Sequence, residues 1–115
     1  NESINAALAT KCAREQGKYW EYHNILFENQ IGENIGTFVE ANLIKFAENL
    51  GLDKAKFENC LKNKKYLNEI QEDINEAIKL NVRGTPYTLI NNTPIEGALP
   101  YSEFQKVINN YLQTK

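Results

Sequence analysis

The sequence predicts a mixed α/β chain in which four or five helices precede a β-hairpin and a final helix. Three observations predict it. Apolar residues recur every third or fourth position between residues 4 and 81, the pattern changes after Pro86 to short β-branched and aromatic runs, and a helical stripe returns after Pro100. At 115 residues the chain can bury one real core but not two independent ones.

Ile4, Ala7, Leu8 and Cys12 form the apolar stripe of a first helix, which Gly17 interrupts. Tyr19, Trp20, His23, Leu26 and Phe27 mark one broad face of a second, with Trp20, Tyr19 and Tyr22 read as core. The polar segment Glu28 to Gly36 reads as a surface loop. Thr37 and Glu40 have the spacing of a capping box, which predicts that the threonine hydroxyl and the glutamate carboxylate satisfy amides at the start of a third helix. That helix carries Val39, Leu43, Phe46, Ala47 and Leu50 on its apolar face and ends at Gly51. Asp53 is the expected cap of a fourth, with Leu52 and Phe57 as a hydrophobic staple and Cys60 and Leu61 on the same face. Leu67, Ile70, Ile74, Ala77 and Ile78 define a longer helix ending near Asn81. Its acidic residues from Glu69 to Glu76 read as a solvated face.

Tyr87–Ile90 and Thr93–Glu96 then alternate as two strands around Asn91-Asn92, residues that tolerate positive φ. Gly97 to Pro100 is a second turn. Tyr101, Phe104, Val107, Ile108, Tyr111 and Leu112 make the last helix. A two-stranded sheet is marginal alone, so further strands are expected outside these residues. The chain starts at Asn1 and contains no methionine, so an upstream segment is expected, and any secretory leader would lie there.

Charge and hydropathy narrow the function. The 13 basic and 15 acidic residues give a net charge of -2 with no basic stripe, so nucleic acid is not an expected partner. Apolar runs of a few residues fall far short of the roughly 20 that span a bilayer, so membrane insertion is not expected either.

The residues that can carry chemistry are few. Pro86 heads a strand and donates no ladder hydrogen bond, which makes the stretch Gly84, Thr85 and Pro86 a candidate recognition site. Cys12 and Cys60 lie on the apolar faces of two predicted helices. They lack the close spacing and adjacent basic cluster of an activated redox pair, and with one histidine on another face they do not make a four-ligand metal site. Two buried thiols packed as small hydrophobes and a structural disulfide both remain open. His23 reads as a packing residue. Asn91-Asn92-Thr93 fits the glycosylation acceptor pattern, but in a tight turn with proline following.

Several segments together resemble the DsbA-like branch of the thioredoxin superfamily. They are Cys12 to His23, Leu50-Gly51-Leu52-Asp53, Phe57 to Leu61, Val82 to Pro86, and Pro94 to Ala98 before the last helix. The resemblance implies an incomplete thioredoxin-like fold, with residues 1–81 as a helical insertion and residues 82–115 as the C-terminal β-β-α part. It implies a cis bond before Pro86 and a thiol–disulfide oxidoreductase acting on secreted proteins. The Cys-x-x-Cys pair of such enzymes is missing here, so the reactive sulfur is expected upstream and this chain alone is expected to be inactive. No cofactor is implied. Extended polypeptides are the implied substrates, with Thr85 offering its backbone to the peptide and Gly84 leaving room, and a membrane redox protein is the implied partner. The implied location is periplasmic or otherwise extracytoplasmic, where facing cysteines oxidise, so the resemblance favours a structural Cys12–Cys60 disulfide. A non-catalytic peptide-binding module and a relative of the kappa-class glutathione transferases are the alternatives.

Overall fold

The structure, a computed structural model, describes residues 1–32 and 35–113. Six helices and one hairpin follow in the order α1 (Glu2–Glu15), α2 (Tyr19–Glu28), α3 (Glu40–Asn49), α4 (Lys54–Lys62), α5 (Leu67–Lys79), β1 (Tyr87–Ile90), β2 (Thr93–Glu96) and α6 (Tyr101–Gln113). This is the mixed α/β chain, helices then hairpin then helix, that the sequence predicts. It forms two compact units, Asn1–Ile74 and Asn75–Lys115.

In the first unit, α1 packs against α2, α3 and α4, and α3 packs against α2 and α4. Leu8, Ala9, Cys12 and Ala13 from α1 meet Tyr22, Leu43, Ala47, Phe57 and Leu61 in a core almost closed to solvent. Small residues on α1 let neighbouring helices approach, and the large rings fill the space between them. Tyr22 is fully buried, stacks obliquely on Phe57 at 5.5 Å, and donates its hydroxyl to the Leu43 carbonyl at 2.9 Å. Burial pushes the Tyr22 phenol well above its ordinary pKa.

Four helices stop in the same way. After α1, α3, α4 and α5, a residue with positive φ (Gly17, Gly51, Lys64 and Asn81) turns the chain back, and the next amide donates to a carbonyl five residues earlier. Glycine takes that conformation freely, whereas Lys64 takes it at a cost. Asp53 caps α4 through the Lys56 amide, as its sequence position predicts.

The capping box at Thr37 does not form. Val39 precedes α3 and gives no side-chain cap. The Glu2 carboxylate instead accepts from the amides of Gly36 and Phe38 at 2.9 and 2.8 Å, and Asn42 donates to the carbonyls of Gly36 and Thr37. The helix begins at Glu40, which places Thr37 two residues before the Val39 cap and Glu40 at the first helical position, so the pair is out of register for the box. Of the expected loop from Glu28 to Gly36, Glu33 and Asn34 lie outside the described residues.

Two further expectations are corrected. Trp20 is 66% and Phe27 70% exposed, so the inward face of α2 is the one carrying Tyr22 and Leu26. The acidic face of α5 is more than solvated. Glu69 accepts from Arg14 through both oxygens, at 3.0 and 3.2 Å, and from Lys11 at 3.0 Å. These bonds hold the Glu69 carboxyl at a pKa of about 2. Nearby, Lys65 and the Tyr66 hydroxyl both donate to Glu15, which lowers its pKa, and Arg14 lies over the Tyr66 ring.

In the second unit, β1 and β2 pair antiparallel with Tyr87 opposite Glu96 and Ile90 opposite Thr93, and Asn91 takes positive φ at the turn. Ile95 is the buried residue of the pair. The Thr93 and Tyr111 hydroxyls meet at 2.5 Å, tying the hairpin to α6.

Candidate functional site

The loop leaving α5 fixes the candidate site. Val82 donates to the Ala77 carbonyl, which closes the helix, and four residues then lead into β1. The Thr85–Pro86 peptide is cis. The Gly97 amide donates to the Pro86 carbonyl at 2.9 Å, so the ladder runs one pair beyond the hairpin proper. Gly97 itself has positive φ and turns the chain away immediately afterwards.

This arrangement makes a cleft of about 290 Å³ walled by residues 83 to 87 on one side and by Glu96 and Gly97 on the other. Gly84, Thr85 and Pro86 therefore share one surface, and all three are exposed. Among the described residues, neither the N–H nor the C=O of Thr85 has a hydrogen-bond partner. Ladder bonds alternate along an antiparallel pair, and Pro86 points its carbonyl at Gly97. The backbone groups of Thr85, Tyr87 and Leu89 are thus directed to the opposite edge, which no described strand covers. A β-carbon placed on Gly84 meets no atom within 4 Å, so glycine here keeps space open in the cleft.

Arg83 bonds Glu96 at 3.3 Å across one end of the cleft. With Arg83 82% exposed, this ion pair contributes little to stability. It does place one positive and one negative group at the rim. Glu96 and Gly97 enter the site only through the hairpin register, so sequence reasoning about the proline loop misses this second wall. The signal that finds it is the two-residue turn at Asn91-Asn92, which sets the pairing.

The remaining candidates lie in the other unit. Cys12 and Cys60 form a disulfide between α1 and α4, with Cα atoms 5.9 Å apart, in the range such a bond needs. The chain therefore has no free thiol. His23 packs against the rings of Tyr19, Trp20 and Phe27, and among the described residues no group of three or more metal-ligating side chains converges. No helix among them is long and apolar enough to cross a membrane.

Comparison with known proteins finds related sequences. Na(+)/H(+) antiporter NhaA 3 of Salinispora tropica is 33% identical over 97 residues, 84% of this chain and 14% of its own length. Na(+)/H(+) antiporter NhaA 1 of Salinispora arenicola is 33% identical over 93 residues, 81% of this chain and again 14% of its length. The Bacillus subtilis protein YwbO is 30% identical over 106 residues, which are 90% of this chain and 52% of YwbO. The chain thus spans a small part of the two antiporters and about half of YwbO. No solved structure matches it. The family model described as Thioredoxin matches residues 1–110, nearly the whole chain, and on that match the chain belongs to the thioredoxin family.

Proposed function

We propose that this chain is the substrate-docking and helical part of a DsbA-like thiol–disulfide oxidoreductase. Membership of the thioredoxin family supports disulfide chemistry in general, and the proline loop supports the specific role. The observation that carries the reading is the unpartnered backbone of Thr85 at the exposed edge of β1. An extended polypeptide can add there as a strand, its N–H and C=O pairing with those of Thr85, while Gly84 leaves room for the approach.

The attacking thiolate comes from outside these 115 residues, because both cysteines of the chain are committed to one disulfide. That sulfur would form the mixed disulfide with a peptide held at Thr85, and a second thiol would resolve it. Secreted polypeptides are the proposed substrates, and a membrane-bound redox protein is the proposed partner that resets the enzyme. The Cys12–Cys60 bond supports an oxidising, extracytoplasmic compartment.

The absence of a free thiol also favours a second reading, a peptide-binding module without catalysis. Dithiol-driven reduction of insulin by the intact gene product separates the two. The enzyme reading expects acceleration by the intact product and none by the 115-residue chain alone. An inactive intact product that still binds unfolded polypeptide favours the binding module.

A further inference from the structure

The two cysteines of the disulfide differ in exposure. Cys12 keeps 1% of its surface and Cys60 5%. Cys60 also walls a cleft of about 430 Å³, together with Glu15, Gln16, Lys56, Asn59 and Lys65, whereas Cys12 does not line it. A reagent in this cleft therefore meets the disulfide from the Cys60 side.

The charges around the cleft select among reagents. Glu15 is its only acid, and that carboxylate is already taken by the Lys65 ammonium and by the Tyr66 hydroxyl at 2.5 Å. Lys56 forms no ion pair among the described residues, so the cleft keeps an excess of positive charge. Positive charge beside a disulfide draws in an anionic thiol and steadies its thiolate.

We propose that the Cys12–Cys60 disulfide is a thiol-exchange site entered through Cys60 and matched to a small thiol bearing carboxylates. This inference is independent of the proline loop. The incoming thiolate bonds to the Cys60 sulfur, the Cys12–Cys60 bond breaks, and its electron pair leaves on Cys12 as a thiolate that then takes up a proton. A second thiol attacks the mixed disulfide. It releases Cys60 as a thiolate and leaves the two small thiols joined as their own disulfide. Two small thiols are oxidised and one protein disulfide is reduced. At the intermediate, Cys60 carries the adduct and the nearly inaccessible Cys12 is free. The covalent tie between α1 and α4 is then open.

The test uses the oxidised full chain with glutathione as the anionic probe and cysteamine as the cationic one, quenched by acid and mapped by peptide mass spectrometry. The expected adduct lies on Cys60, at least tenfold over Cys12. Lys56→Glu puts an acid in the first turn of α4, where helices favour one, so the fold should persist. A two-unit charge change at the wall of the same cleft in screened solution should slow glutathione about threefold and leave cysteamine unchanged or faster. Equal adducts on both sulfurs, or the same rate change for both thiols, would show reaction through global unfolding and overturn the proposal.

Discussion

Removing the disulfide is the sharpest perturbation of the helical unit. Cys12 and Cys60 are separated by 48 positions, so their bond restricts a long loop in the unfolded chain. The chain-entropy relation gives about 4 kcal/mol at 25 °C for a loop of that length. The C12A/C60A variant also loses the packing of two buried sulfurs, worth a few tenths to about 1 kcal/mol each. A loss of about 4.5–6 kcal/mol is therefore expected, a large share of the roughly 5–15 kcal/mol that holds a typical domain together. Urea unfolding followed by helical circular dichroism is the assay, since the one tryptophan, Trp20, is 66% exposed and reports poorly on the core. The midpoint should fall and the urea dependence should steepen, because an uncrosslinked unfolded chain exposes more surface. A loss below about 1 kcal/mol in the variant, against a wild type verified as oxidised, would show instead that packing of α1 on α4 alone fixes the unit.

Three further outcomes follow from named contacts. Tyr22→Phe removes the donor to the Leu43 carbonyl and leaves that acceptor buried, so about 1–2 kcal/mol should be lost in the same unfolding assay. Acid should weaken the seam held by Glu69. Its pKa is lowered from 4.5 to about 2 in the folded chain, so its contribution is complete above pH 4.5 and disappears as pH falls toward 2. A thermal scan across that range should show the loss, and Glu69→Gln should flatten it; Glu15 is shifted in the same direction by Lys65 and Tyr66 and adds to the trend. Lys64→Gly relieves a positive φ at the end of α4 and should raise stability by about 0.5–1 kcal/mol in urea.

Helix order, the hairpin and the caps at Asp53, Gly17 and Gly51 are legible in the sequence because each depends on residues within one or two turns of one another. The contacts that escape it are long-range. Glu2 reaches Gly36 and Phe38, and Glu69 reaches Lys11 and Arg14 more than fifty positions away; no local spacing encodes either. Trp20 and Phe27 mislead for another reason. Periodicity reports that aromatic residues share a face of α2, but only packing decides that the face carrying Tyr22 and Leu26 turns inward. At the candidate site, Gly84, Thr85 and Pro86 are contiguous and therefore readable, whereas Glu96 and Gly97 join them through strand register.

In the proposed function, the edge beginning at Thr85 receives a polypeptide backbone. Titrating the isotopically labelled chain with an extended, cysteine-containing peptide and following backbone amides by NMR tests it directly. Shifts at Thr85, Tyr87 and Leu89, weakened by Gly84→Ala at unchanged stability, are the expected result. No shift at these amides under saturating peptide, or shifts confined to α1–α4, would contradict it.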